Sequence, residues 1–202
     1  MAMEENKKTE QESLQLISET INKVKTSYHE KGIGPMLWGC IVTVCSLASF
    51  YASKYNIYWL YNVWFLTIIA VVPQIIISAK EKKEKKFVSL TDATAGAIWI
   101  TFGFSMMVLS ILENVMRAKY NWGMHSSVYM LVYGIPTIIT GLICKVKPMV
   151  IGGILCWVFA IASIFVPYPY PLLFMAASAI LAWLIPGLLI NAKYRKHKAA
   201  NV

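Results

Sequence analysis

The sequence predicts an all-α polytopic membrane protein with six transmembrane helices following a cytoplasmic amphipathic helix. Three observations carry that reading. The chain is 57% apolar and only 14% charged over 202 residues, where a soluble domain carries about 25% charge. Its apolar residues gather into runs at 33–53, 57–79, 93–115, 124–144, 149–166 and 171–190, each near the roughly 20 residues a helix needs to cross the hydrocarbon core. The basic residues, finally, alternate between the ends of those runs in the way that sets membrane orientation. Within lipid, backbone groups must be satisfied internally, so each run is a helix or part of a closed barrel. Barrel strands alternate apolar and polar residues, and these runs do not.

Residues 1–32 form the first unit. Thr9 and Glu12 have the spacing of a capping box. Leu14, Ile17, Ile21, Val24 and Tyr28 follow at alternating steps of three and four, one apolar stripe along a helix with a charged opposite face. Three readings fit the stripe: it lies on the inner membrane surface, packs on a partner or a second copy, or folds back on the protein's own loops. Gly32 and Gly34 end this helix, and Pro35 falls in the first turn of the next, where a missing N–H costs little. The polar start has no signal-peptide pattern, so the first membrane helix is expected to direct insertion.

The bundle, 33–191, follows as short-looped hairpins. Tyr55–Asn56 make an outer turn, residues 80–86 a basic inner loop that extends the second helix, residues 117–123 the longest outer loop, and residues 145–147 an inner turn before Pro148. Pro167, Pro169 and Pro171 stiffen the last outer turn. A basic tail, 192–202, closes the chain. With the N-terminus cytoplasmic, all of the Lys and Arg residues except Lys54, Arg117 and Lys119 fall on the inner side, a strong positive-inside bias that places both termini in the cytoplasm. The net charge of +9 is therefore an orientation signal suited to anionic lipid headgroups, not to nucleic acid. Tyrosines and tryptophans such as Tyr51, Tyr55, Trp59, Tyr120, Trp122, Tyr168 and Tyr170 gather at the outer ends, as amphipathic rings do. Cys40, Cys45, Cys144 and Cys156 lie outside the outer loops without CxxC spacing and read as reduced, small apolar residues.

An internal repeat of three helical hairpins is also readable. The second, fourth and sixth helices carry Pro73, Pro136 and Pro186 in the contexts Val-Val-Pro-Gln-Ile-Ile-Ile, Gly-Ile-Pro-Thr-Ile-Ile-Thr and Leu-Ile-Pro-Gly-Leu-Leu-Ile, with Ser49, Ser110 and Ser163 equivalent on the preceding helices. Parallel repeats occur in transporters. A proline frees the carbonyl one turn back and bends a membrane helix, so the three are candidate hinges; ordinary membrane-helix proline is the plainer reading.

Few residues carry chemistry. Glu113 is the one acid inside a predicted span, and an intramembrane acid is a functional candidate by default. Arg117 lies one turn on, at pairing distance, which favours a structural ion pair. The alternative is an outer polar mouth of Asn62, Glu113, Asn114, Arg117, His125 and Tyr129. Ala93, Ala97, Thr101 and Ser105, and likewise Gly152, Gly153, Ser178 and Ala182, read as small residues that let helices approach closely. His29, His125 and His197 stand alone, without HExxH, P-loop or GxSxG motifs. No catalytic residue, metal site or cofactor is expected.

The strings Glu12-Ser-Leu-Gln-Leu-Ile17, Trp38-Gly39, Ile139-Thr-Gly-Leu-Ile-Cys-Lys-Val-Lys-Pro-Met-Val-Ile-Gly-Gly153 and Ile185-Pro-Gly-Leu-Leu-Ile-Asn191 resemble a group of small, uncharacterised membrane proteins of Bacteroidetes bacteria, along nearly the whole chain. The resemblance implies a bacterial inner-membrane location and, because such proteins are often encoded beside a winged-helix regulator, a regulatory or stress-linked role. The family has no established activity, so it assigns no site residues. Two expectations follow. The first is a non-enzymatic regulatory, adaptor or sensing protein, its N-terminal stripe meeting a cytoplasmic protein or a second copy. The second is a small transporter or permease subunit whose proline-bearing helices line a path for an apolar or small polar solute.

Overall fold

The computed structural model describes residues 31–84, 90–120 and 126–200. The N-terminal stripe of Leu14, Ile17, Ile21, Val24 and Tyr28, and His125 of the polar mouth, lie outside the described residues. All regular structure among the described residues is helical: α1 (Ile33–Tyr55), a 3₁₀ segment (Tyr58–Trp64), α2 (Phe65–Glu84), α3 (Leu90–Tyr120), α4 (Ser126–Ile143), α5 (Lys147–Ile164), and then α6 (Pro171–Ala179), a π-helical turn (Ile180–Leu184) and α7 (Ile185–Ala200) in one continuous run. Six helices are long and apolar enough to cross a membrane, and the chain is an all-α polytopic membrane protein.

Several boundaries depart from the sequence reading for local reasons. The second span opens with a 3₁₀ segment, because Asn56 ends α1 in the left-handed conformation that asparagine tolerates. Residues 117–120 belong to α3 and not to a loop: Arg117 and Lys119 sit favourably at a helix C-terminus, and the Glu113–Arg117 pair staples that turn. The lysine-rich stretch after the second span, by contrast, is helical through Glu84, as the extension of α2 that the sequence leads one to expect. The basic tail is likewise helical, as the end of α7.

The core is built on α1, α4, α5 and the sixth span. Half of the sixth span's most apolar window is buried, but only 6% of the windows in the second and third spans. Small residues explain the difference. A Cβ on Gly39 would lie 2.6 Å from the Leu184 backbone nitrogen, and one on Gly152 would lie 2.4 Å from the Leu181 carbonyl. α1 and α5 therefore meet the sixth span backbone to backbone, as small residues permit in membranes. Gly134 and Gly153 do the same for α4 and α5, which form the most extensive pair in the bundle. The expected roles of Gly152, Gly153, Ser178 and Ala182 are met, for all four are buried.

The other small-residue stripe is a correction. Ala93, Ala97, Thr101 and Ser105 are exposed, and α3 packs through Ala95, Trp99, Phe102 and Met106 instead. Volume decides this, since three large side chains reach across a wide gap to the core while the small ones would leave it empty. The three hairpins exist but are not packed alike. α2 rests on α1, α3 rests on α4, and no Cα of α2 lies within 8 Å of one in α3 among the described residues. Ser49 and Ser163 are buried while Ser110 is exposed.

The start of α1 is tied to α7. Gly32 adopts a φ of +69°, and a Cβ there would fall 2.4 Å from the Gly187 carbonyl, so both conformation and space require glycine. The Asn191 side-chain amide donates to the Lys31 carbonyl at 2.7 Å. At the opposite end, Ser53 and Tyr168 share a hydrogen bond of 2.5 Å.

Candidate functional site

Two clusters gather the bundle's polar and aromatic side chains. The first lies at the end opposite Lys82 and Lys83 of α2. On α3, Glu113 and Arg117 are one turn apart and pair at 2.6 Å. Tyr129, from the facing turn of α4, donates its hydroxyl to the other Glu113 carboxylate oxygen. The carboxylate is thus held by two donors from two helices, with the guanidinium largely exposed. This is the ion-pair geometry that the four-residue spacing suggested, enlarged by Tyr129.

Asn114 and Asn62, the other described residues of the expected polar mouth, do not join it. Asn114 turns back to donate to the Ser110 carbonyl at 2.8 Å, a local bond that short polar side chains make readily in helices. Asn62 is exposed on the 3₁₀ segment, which approaches only α1 and α2. Among the described residues, no three histidine, cysteine, aspartate or glutamate side chains come together.

The second cluster is central. Trp183, in the π-helical turn, donates its indole N–H to the Thr137 hydroxyl at 2.8 Å, and Thr137 donates to the Tyr133 carbonyl at 2.7 Å. The Tyr133 and Trp183 rings lie 4.8 Å apart. Trp99 and Phe102 of α3 meet Trp183 edge-on at 6.1 and 6.0 Å, an arrangement that aromatic quadrupoles favour. A similar indole bond joins Trp64 to the Ser49 hydroxyl at 2.9 Å. Each buried indole N–H thereby has a partner, without which it would cost free energy in an apolar medium.

The prolines separate by environment. Pro73 lies within α2 and is half-buried, whereas Pro136 and Pro186 are buried. Only Pro186 follows a π-helical turn. Its ring cannot donate to the Ala182 carbonyl and crowds it, and a widened turn relieves both problems at once. That widening turns Trp183 toward Thr137. Sequence reading picked out Pro186 and passed over Trp183, Thr137, Tyr133 and Trp99. A signal was present: Trp99 and Trp183 stand in mid-span, away from the interfacial belts where tryptophan collects.

All four cysteines are free, with Cys45 and Cys156 buried. Compared with known protein families, with curated proteins and with solved structures, the chain finds no match.

Proposed function

We propose that this integral membrane protein is a non-enzymatic regulatory or adaptor component of a bacterial inner membrane, in keeping with its resemblance to the uncharacterised Bacteroidetes group. One observation carries the reading. Among the described residues, the polar side chains buried as a whole are hydroxyls, Ser46, Ser49, Thr137, Thr140, Ser163 and Ser178, and the amide oxygen of the half-buried Gln74 is also shielded. The charged Glu113–Arg117 pair stands at one end and is internally compensated. A path for a polar solute or proton normally needs ionisable or amide groups along its length. This core instead resembles a scaffold, with the N-terminal apolar stripe as its contact to a cytoplasmic partner.

The test is photo-crosslinking from Ile17 in native membranes, with mass spectrometry of the adducts. An adduct with a soluble protein supports the adaptor reading. Adducts with lipid or with this chain alone overturn it.

The second reading, a transporter for an apolar solute, is favoured by the π-helical turn at Ile180–Leu184, since such turns recur at functional sites. It is supported if restoring the regular helix at Pro186 abolishes a growth phenotype that substitution of Ile17 leaves intact.

A further inference from the structure

Acidic and basic residues are unevenly divided along this chain. Residues 1–30 hold six of its ten acidic residues and only four of its nineteen basic ones. That segment is net acidic, and the remainder is strongly basic. On the helix predicted there, Glu12, Glu19 and Glu30 recur after seven and eleven residues, which are two and three turns. They form a ridge, interrupted by Lys23, on the side away from Leu14, Ile17, Ile21, Val24 and Tyr28.

The acidic segment joins the bundle inside its most basic region. Lys31 is fastened to α7: its carbonyl accepts from Asn191 at 2.7 Å, and its ammonium lies 5.9 Å from the centre of the Tyr194 ring. Gly32, left-handed at a φ of +69°, then breaks the line of the chain before α1. Lys193, Arg195 and Lys196, which flank Tyr194 in sequence, are exposed, and none has an acidic partner among the described residues. Other lysines share this end. Gly34 of α1 lies against the Gln74 side chain, and α2 carries Lys80, Lys82 and Lys83 about two turns further on. Gly152 and Cys156 of α5 meet Leu181 and Ser178 in antiparallel order, which puts Lys145 and Lys147 toward the same end. All five of these lysines are exposed.

We propose that residues 1–30 dock across this basic end of the bundle by their acidic ridge, Glu30 beside Lys193 and Arg195 of α7 and Glu19 and Glu12 over the lysines beyond, so that the apolar stripe faces away from the bundle. Three arguments select this occupant. The charges are complementary. The reach suffices: Glu12 to Glu30 is about 27 Å of helix, the width of about three helices packed 8 to 10 Å apart. The segment is also tethered at Lys31, which raises its local concentration to about millimolar and sustains ion pairs that are individually weak. The docking fixes which face of the segment is offered to a partner; it goes beyond the adaptor reading and does not rest on it.

The experiment uses the full chain, isotope-labelled and unlabelled in equal amounts, in phosphatidylcholine vesicles with and without a fifth of phosphatidylglycerol. A carbodiimide couples carboxylates to amines in direct contact, and mass spectrometry maps the links. Glu19 should link to lysines beyond residue 79 in both kinds of vesicle, within chains of one label. The variant E12Q/E30Q keeps Glu19 as the reporter and should lower those links at least about threefold, the effect of losing two exposed ion pairs. Links between labelled and unlabelled chains would give the segment to a second copy and overturn the proposal. Links that vanish with phosphatidylglycerol would give the lysines to lipid headgroups and overturn it too. Absence of such links altogether, or links indifferent to E12Q/E30Q, would do the same. Ile17 lies on the opposite face, so its crosslink to a soluble protein tests the adaptor reading alone and the two proposals fail separately.

Discussion

Trp183 and Thr137 are joined across the centre of the bundle by an indole-to-hydroxyl hydrogen bond of 2.8 Å. The bond couples the π-helical turn of the sixth span to α4 at a depth where water is not there to compete. Thr137→Val keeps the shape and removes the acceptor, and leaves the indole N–H unsatisfied. Its expected cost is about 1 to 3 kcal/mol. Thr137→Ser should cost less. Combining Thr137→Val with Trp183→Phe should give a coupling energy of about 0.6 kcal/mol and no more than about 1.7 kcal/mol, the average and the maximum found for interhelical bonds in a membrane protein. Unfolding titrations in mixed micelles measure all three; a coupling of zero would show the bond to be energetically silent.

Glycines on different helices should respond in opposite directions. Gly39→Ala drives a methyl into the Leu184 backbone at 2.6 Å, while Gly103→Ala meets nothing within 4 Å. Gly39→Ala should destabilise by about 1 to 3 kcal/mol through overpacking. Gly103→Ala should be neutral or stabilise by up to about 1 kcal/mol through helix propensity. Thermal shift in detergent separates them, and an equal loss in both would mean that α3 is covered by a neighbour.

Glu113→Gln keeps an acceptor for Tyr129 and gives up the ionic pair with a guanidinium that is 65% exposed. Exposed pairs are worth about 0 to 1 kcal/mol, but the carboxylate itself is only 20% exposed and also accepts from Tyr129, so the loss should be about 1 to 2 kcal/mol. A large functional loss with unchanged stability would instead assign Glu113 to a polar mouth and favour transport.

Pro186→Ala restores an N–H opposite the Ala182 carbonyl and removes the ring that crowds it. The π turn should then tighten toward α-helix and turn Trp183 away from Thr137. Pro73→Ala, in an α-helical stretch, should leave the aromatic core as it is. Tryptophan emission reports the outcome: a shift for Pro186→Ala and none for Pro73→Ala, with equal behaviour counting against a special role for Pro186.

The six spans were legible because length and hydropathy alone decide whether a helix can cross a bilayer. The Glu113–Arg117 pair was legible for a similar reason, since the spacing of two residues on one helix fixes their distance. Tyr129 could be named as lying at a similar depth, but its bond to Glu113 depends on how α3 meets α4. Partner choice between helices eluded the sequence more widely. Ala93, Ala97, Thr101 and Ser105 share the pattern that buries Gly152 and Gly153, yet they face outward. In lipid an apolar face has no intrinsic preference for protein over acyl chains, so pattern shows that a face is smooth without showing which helix meets it.

The tie between Gly32 and Gly187, together with the seat of Gly39 on Leu184, sets a timetable for biogenesis. The first of the six spans to be made finds its main neighbours in the sixth. At roughly 5 to 20 residues per second, α1 waits on the order of ten seconds in the bilayer with its glycine face uncovered, while α4 and α5 can pair as soon as both are made. The final span then acts as a latch, so a chain truncated before residue 171 leaves its earliest helix open to the membrane quality-control machinery.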